Sequence, residues 1–281
     1  MTISYSLHQI NDRHTFGFSP ADYSRFKFGD GAVAKTFGHQ LARGFISDYL
    51  TENPVGGQIV VVSSPYSFIP TATFAMKNHF VFELNHWLAE HDLPVVQETK
   101  VHRTVTYKED YGELSAEQRI TLIGNDTFHI DKYFLEGKTL IFLDDIRITG
   151  SHERMIMKMV KEYGLKNDIY MLYYAELTNN EIHPNIENYL NYHSVKSIFD
   201  LDAIVNDRQF CVNTRLVKYI LNYKYHDFCL FIQGQQHDFV TMLYYMAVGN
   251  NYHTMESYQR NLTYIKNFIF KNDQKLISYG N

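Results

Sequence analysis

A parallel β-sheet with helices on both faces, followed by a helical extension, is the architecture this sequence predicts. The α/β part rests on short β-branched runs such as Ile59-Val-Val-Val62, of the kind buried in parallel sheets, alternating with amphipathic stretches from about residue 31 to about 205. The extension rests on the helix-upon-helix pattern that follows. We divide the chain into an α/β domain over residues 1–205 and a helical extension over residues 206–281 packed on it, since no repeat, low-complexity run or Pro/Ser linker separates them.

The elements follow in order. Val33, Phe37, Leu41 and Phe45 recur at four-residue spacing and predict a helix over 31–50. The turn TENPVGG leads to the strand 59–62, and the loop SSPYSFIP leads to a helix from about Thr71 to His91. Val95 to Val105 reads as a strand. Ser115-Ala-Glu-Gln118 has the form of a capping box, which starts a helix at Ala116 that stops at Gly124. A strand over 140–143, a helix over 151–163 and a strand over 169–174 complete the alternation. Helices are then expected over 214–223, 239–248 and 255–270.

Composition narrows the function classes. A net charge of −5 gives no overall field toward nucleic acid or an anionic membrane, so an anionic ligand must be held locally. The N-terminus has neither the basic nor the apolar region of a signal peptide, and no run of about 18 apolar residues occurs. Cys211 and Cys229 lack CxxC spacing and read as packing residues in a reducing compartment. A soluble, cytoplasmic protein is expected. His79, His86 and His91 do not share one helix face, and no HExxH, P-loop, nucleophile elbow or dinucleotide fingerprint is present.

The chemistry concentrates in one stretch, TLIFLDDIRITGSH, residues 139–152. An apolar strand ends on Asp144 and Asp145, and ligands of parallel α/β sheets sit at the carboxyl ends of strands. Thr149-Gly150-Ser151 before a helix makes a concave array of N–H donors suited to a phosphate monoester, and Gly150 lets the backbone approach closely. Two carboxylates can accept from the vicinal hydroxyls of a ribose or sit near hydrated Mg²⁺. Together these describe a clamp for a phosphorylated sugar. A haloacid-dehalogenase-type phosphatase is excluded, because Ile146 stands where its second aspartate belongs.

An apolar strand, an acidic pair and then Thr-Gly resembles the phosphoribosyl-pyrophosphate (PRPP) motif of type I phosphoribosyltransferases, over roughly residues 31–205. The resemblance implies the type I fold and transfer of ribose 5-phosphate from PRPP to a nitrogen acceptor, with Mg²⁺ and release of pyrophosphate. Asp144 and Asp145 would hold the ribose hydroxyls, and Arg147, Ile148, Thr149, Gly150, Ser151 and His152 would wrap the 5-phosphate. Two residues depart from the family pattern: Ile148 replaces the aspartate many purine-specific members carry, and His152 replaces a hydroxyl residue. The runs VHRTVTY, DYGELSAEQR and LDDIRITGSHER also look like a bacterial subset encoded beside tellurium-resistance and stress genes.

Three further segments fit the resemblance. Ser63, Ser64, Tyr66 and Ser67 follow the strand 59–62 where the pyrophosphate loop belongs, although a plain Ser/Pro turn reads the same way. Lys100 and Arg103 are the candidate catalytic cations beside a loop, Tyr107 to Gly112, expected to close over the ligand. They lie on opposite faces of a regular strand, so joint use needs a local irregularity, and a solvated basic edge is the alternative. Residues 20–30, with Tyr23, Arg25 and Lys27, can form a hood over the acceptor or be an edge strand. The tyrosine-rich extension can cover the domain or build a homodimer contact. A non-catalytic PRPP sensor with the same pocket is the competing function. The acceptor stays unidentified.

Overall fold

The computed structural model describes residues 2–53, 55–103 and 128–279, with side chains described to 271. The helix expected at 116–124 and the loop Tyr107 to Gly112 lie outside the described residues.

Five parallel strands form the main sheet, in the order β1-β7-β6-β2-β3. They are β1 (Thr2–Ile10), β2 (Ile59–Ser63), β3 (Gln97–Glu98), β6 (Thr139–Arg147) and β7 (Ile169–Leu177). A separate antiparallel pair joins β4 (His102–Arg103) to β5 (Phe128–His129). The period-2 rule sorts the central strands cleanly. Ile59, Val61, Ile141, Leu143 and Leu172 face one core, and Val60, Val62, Leu140, Phe142 and Met171 face the other. Helices α2 (Gly31–Phe45) and α3 (Ala72–Glu90) cover the first face, and α5 (Ser151–Glu162) covers the second through Ile156, Met159 and Val160. α1 (Pro20–Lys27) starts on the Ser19 cap, while α4 (Lys132–Leu135) is a single short turn.

α6 (Ile186–Asn191) packs Ile186 and Leu190 into the first core. The helices after it, α7 (Asp202–Val205), α8 (Thr214–Asn222), α9 (Tyr225–Gln233), α10 (His237–Gly249) and α11 (Glu256–Tyr279), build a third core. This core takes in Val195, Ile198 and Leu201, upstream of residue 206, and draws in Phe28 and Ile69 from the α/β part. Leu216, Val217, Ile220 and Leu221 of α8 are fully buried in it. At about 1.5–3 kcal/mol for each fully buried aliphatic side chain, that face fixes α8 and therefore aims its other face.

Four local readings differ from expectation. β1 was not foreseen; Ile3, Tyr5 and Leu7 alternate with polar residues as a half-buried strand requires, and the strand pairs with β7 at the sheet edge. The strand expected over Val95 to Val105 is broken into β3 and β4, because the chain leaves the main sheet after Glu98 and bridges at His102 to Tyr66. Residues 20–27 are a helix, not an edge strand: Pro20 at its start and the Ser19 side chain accepting from Asp22 N–H favour a helical first turn. Strand β6 also runs on through Asp144 and Asp145 to Arg147, because Asp144 and Arg147 keep register with Tyr173 and Glu176 of β7.

Candidate functional site

The direction of strand addition reverses between β2 and β6: β2 leads outward to β3, and β6 leads the other way to β7. A crevice at the carboxyl ends of such strands is where parallel sheets bind ligands. Ser63 pairs with Leu143 in the ladder, which brings Ser64 beside Asp144.

Both aspartates are buried and each is held by hydroxyl and cationic donors. Asp144 accepts from Ser64 Oγ at 2.7 Å and from the N–H of Asp145 at 3.0 Å, and its second oxygen lies 2.8 Å from His152 Nδ1. Asp145 accepts from Tyr23 Oη at 2.6 Å and pairs with the Lys27 ammonium. Thr73 Oγ1 reaches Asp145 at 3.2 Å. Burial pushes the Asp144 carboxyl up, but His152 and the Ser64 hydroxyl outweigh it and hold the group below the ordinary carboxylate range. Burial, reinforced by Asp145, pushes the Tyr23 hydroxyl well above its ordinary value. Asp144 is therefore ionised at neutral pH, and Tyr23 is a donor.

The turn after β6 has the shape its sequence demands. Gly150 adopts a left-handed conformation, φ 65° and ψ 16°, immediately before α5. The first turn of a helix directs N–H groups outward without intrahelical partners, which is an anion-binding geometry. The side chains around it are tied down. Thr149 Oγ1 and Ser151 Oγ lie 2.7 Å apart, and Arg154 donates to the Thr149 carbonyl and to Ser151 Oγ. Arg147 is clamped by Glu153 at 2.6 Å and by Glu176, and Tyr173 donates to the same Glu153 at 3.1 Å.

A cavity of about 890 Å³ opens over this floor. Asp144, Asp145 and residues 147–152 line it together with Lys27, Ser64, Thr73 and Arg103. The other sequence-predicted residues are placed elsewhere. Ser63 ends β2 within the sheet, and Tyr66 and Ser67 lie in the loop beyond it. Lys100 donates to the Ser67 carbonyl and stacks its ammonium 4.0 Å from the Tyr66 ring centre, away from the cavity lining. Burial lowers its pKa. The chain does break between β3 and β4, yet the break does not bring Arg103 and Lys100 together, since Arg103 lines the cavity and Lys100 does not. In the N-terminal segment, Tyr23 is buried beneath Asp145, Arg25 pairs with Asp30 at 2.6 Å, and only Lys27 of the three lines the cavity.

The rest of the lining was missed in the sequence. Apart from Thr71, Ala72, Ile146, Glu153 and Tyr173, it comes from Glu187 and Asn188 of α6, from Tyr192 and Lys196 after it, and from Arg215, Lys218, Tyr219 and Asn222 along α8 of the helical unit. The available signal was the spacing of the α8 residues, opposite the buried face of that helix. The same unit holds the loop after β2. The buried Asn250 side chain accepts from the N–H groups of Phe68 and Ile69 at 2.9 and 3.1 Å, and Thr214 Oγ1 donates to the Ile69 carbonyl at 2.8 Å.

The family follows from comparison of the whole chain. The profile described as PRTase ComF-like, a phosphoribosyltransferase profile, matches residues 1–265. The chain belongs to the ComF-like phosphoribosyltransferase family. Membership covers the helical unit as well as the sheet, since the match runs through α8 and α10 into α11. No curated protein matches the chain. Among solved structures, a hypoxanthine phosphoribosyltransferase from Staphylococcus aureus is similar at 12% identity over 54% of this chain and 85% of that one, with a TM-score of 0.33. The hypoxanthine-guanine enzyme of L. donovani is similar at 12% identity over 52% and 70%, with a TM-score of 0.31. The hypoxanthine enzyme of Trypanosoma cruzi is similar at 14% identity over 54% and 77%, also with a TM-score of 0.31. Among the described residues, no helix is long and apolar enough to cross a membrane.

Proposed function

We propose that this member of the family is a transferase that moves ribose 5-phosphate from PRPP to a nitrogen acceptor. The observation that carries the reading is the floor of the cavity: two buried, adjacent carboxylates one turn away from a left-handed Gly150 at a helix N-terminus. Hydroxyl donors already sit on both carboxylates, Ser64 on Asp144 and Tyr23 on Asp145, which is the chemistry a ribose diol offers. The 5-phosphate would be met by the N–H groups of the turn 148–152, because Arg147 is spent on two glutamates.

In the reaction, the acceptor nitrogen forms a bond to C1 of the ribose as the bond from C1 to pyrophosphate oxygen breaks, and pyrophosphate leaves with the electron pair. Arg103 is a cation on the cavity wall suited to the leaving group, and Lys27 pairs with Asp145. The proton released from the acceptor goes to Glu187, a buried carboxylate in the same cavity. Glu187 is assigned this role because Ile148 stands at the position where an aspartate would serve and Glu187 is a carboxylate on the cavity lining.

Magnesium fits the donor set as an ion that arrives with the substrate. Asp144 and Asp145 offer the hard oxygens it prefers, yet each of their oxygens already accepts from a protein donor, so substrate oxygens and water would supply most of its shell. Bound there, it would neutralise charge on the departing pyrophosphate. A cytoplasmic setting suits such chemistry, and a place beside stress or tellurium-resistance functions is in keeping with it.

Replacing both Asp144 and Asp145 by Asn is expected to weaken Mg²⁺–PRPP binding by roughly 2–4 kcal/mol, the scale of two lost charge-assisted hydrogen bonds. Calorimetry on the folded double variant checks this, and unchanged affinity would end the reading. PRPP binding without pyrophosphate release against any nitrogen acceptor would instead make the protein a sensor.

A further inference from the structure

We infer that the wall supplied by the helical unit is an acceptor subsite, and that the acceptor is a flat ring bearing an anionic group. This deepens the transferase reading above and rests on it for the word acceptor.

Helix α8 carries two faces with different tasks. Leu216, Val217, Ile220 and Leu221 are buried in the helical core. Arg215, Lys218, Tyr219 and Asn222, at offsets of three, four and seven from Arg215, form one continuous stripe along the cavity. Because the apolar face is fully packed, the stripe is presented by a fixed element and not by a loop.

The chemistry of the stripe is aromatic and cationic. The Tyr219 ring meets Phe28 edge-on at 5.1 Å and lies 5.9 Å from Tyr192, so its plane is set by buried neighbours. The Arg215 guanidinium lies 5.8 Å from the Tyr192 ring centre. Lys196, Arg215 and Lys218 line the cavity from the helical unit, and the whole lining holds six lysines and arginines against four carboxylates. In a chain whose net charge is −5, that local excess of cations is not a reflection of composition. A ring stacked on tyrosine with its substituent among those cations uses both features, whereas a neutral base uses only the first.

The leaving group does not need this wall. The loop after β2 and Arg103 lie at the carboxyl ends of the other strands, and the 5-phosphate turn is on β6. A volume of about 890 Å³ also lies near the upper end of the roughly 300–1,000 Å³ usual for ligand sites, which suits two ligands side by side.

The test uses the full chain and three probes: pyridine-3-carboxylate, the neutral pyridine-3-carboxamide, and phenyl phosphate. Calorimetry or ligand-observed NMR should show a ring anion bound at least about tenfold more tightly than the amide, the scale of a charge-assisted contact. The carboxylate and phosphate arms tell which anion is preferred. In Arg215→Gln/Lys218→Gln the preference should vanish while the heat of Mg²⁺–PRPP binding is kept, and Arg215→Lys should retain it. Matching circular dichroism shows that the variants fold. Equal binding of the amide, no binding by any probe, or a preference that survives in the double variant overturns the inference. So does a variant that loses PRPP as well, since the cations would then belong to the pyrophosphate. A wild-type chain that prefers ring anions yet binds no PRPP sinks the transferase reading and leaves the anion site standing.

Discussion

At the cavity floor, Asp144 and Asp145 are neighbours in sequence, and their donors Ser64, Tyr23, Lys27 and His152 converge on them from three elements. On the wall, Glu187 and Tyr192 come from one segment and Arg215, Lys218 and Tyr219 from another, and no short motif announces a site. The floor is therefore a motif with a support shell, and the wall is a helix face with a hydrophobic anchor. On the function proposed above, the two regions divide the labour: the chemical step falls to the adjacent residues of the floor and the choice of acceptor to the dispersed residues of the wall. Substitutions on the two sides should accordingly separate rate and donor binding from acceptor binding.

The largest expected effect that crosses this division comes from Glu187, which belongs to the wall but is assigned to the chemical step. Glu187→Gln preserves shape and removes the proton acceptor. It should lower kcat by about a hundredfold or more, within the range for a lost general base, with Mg²⁺–PRPP affinity kept. Rapid-quench measurement of pyrophosphate formation checks it. A change confined to KM would return Glu187 to the wall as a binding residue.

Next in size is a test of the floor alone. Gly150→Ala places a Cβ on a backbone at φ 65°, and that atom would meet the Arg147 and Arg154 guanidinium groups at 3.4 Å. A left-handed conformation costs an L-residue roughly 1–2 kcal/mol, and two flexible guanidinium ends can shift to admit the methyl. PRPP binding should thus fall by about the same 1–2 kcal/mol because the turn relaxes toward right-handed geometry. Binding of ring anions on the wall should be unaffected. Titrating PRPP and the ring probes against the same variant checks both halves.

How much of this was legible depends on how local each feature is. The strands read at 59–62 and 140–143, the helices α2, α3 and α5 and the Asp-Asp-to-Gly150 run are each written within a short window, and period-2 and period-3.6 patterns were enough to find them. Reading Asp144 as the end of a strand failed for a physical reason. Carboxylates interrupt an apolar pattern but not a backbone ladder, and here donors from outside the strand offset their burial. Lys100 shows the converse. Its charge suggested catalysis, but its partners, Ser67 and the Tyr66 ring, are more than thirty residues away in sequence and draw it off the cavity. The wall required knowing that α8 packs on Phe28 and against Ile69, a long-range fact that no window contains.

The smallest expected effect sharpens the comparison most, because it concerns the segment that looked most like a hood. Tyr23, Arg25 and Lys27 were read together as acceptor-binding, and α1 points them to three places. Tyr23 goes beneath Asp145 and Lys27 onto it, while Arg25 is half exposed beside Asp30. Asp30 accepts from the Val33 N–H and caps α2 without help from Arg25. An ion pair of this exposure contributes at most about 1 kcal/mol, so Arg25→Ala should lower stability by no more than that. It should leave PRPP affinity, turnover and ring-anion binding where they were. Lys27→Ala is the paired control, since it strips the ammonium from a buried carboxylate and should weaken PRPP binding at the floor. A denaturation curve and a PRPP titration on the two variants decide the matter. If Arg25→Ala raised the KM for an acceptor while Arg215→Gln/Lys218→Gln did not, the hood would belong to the N-terminal segment and the helical wall would be only a cover.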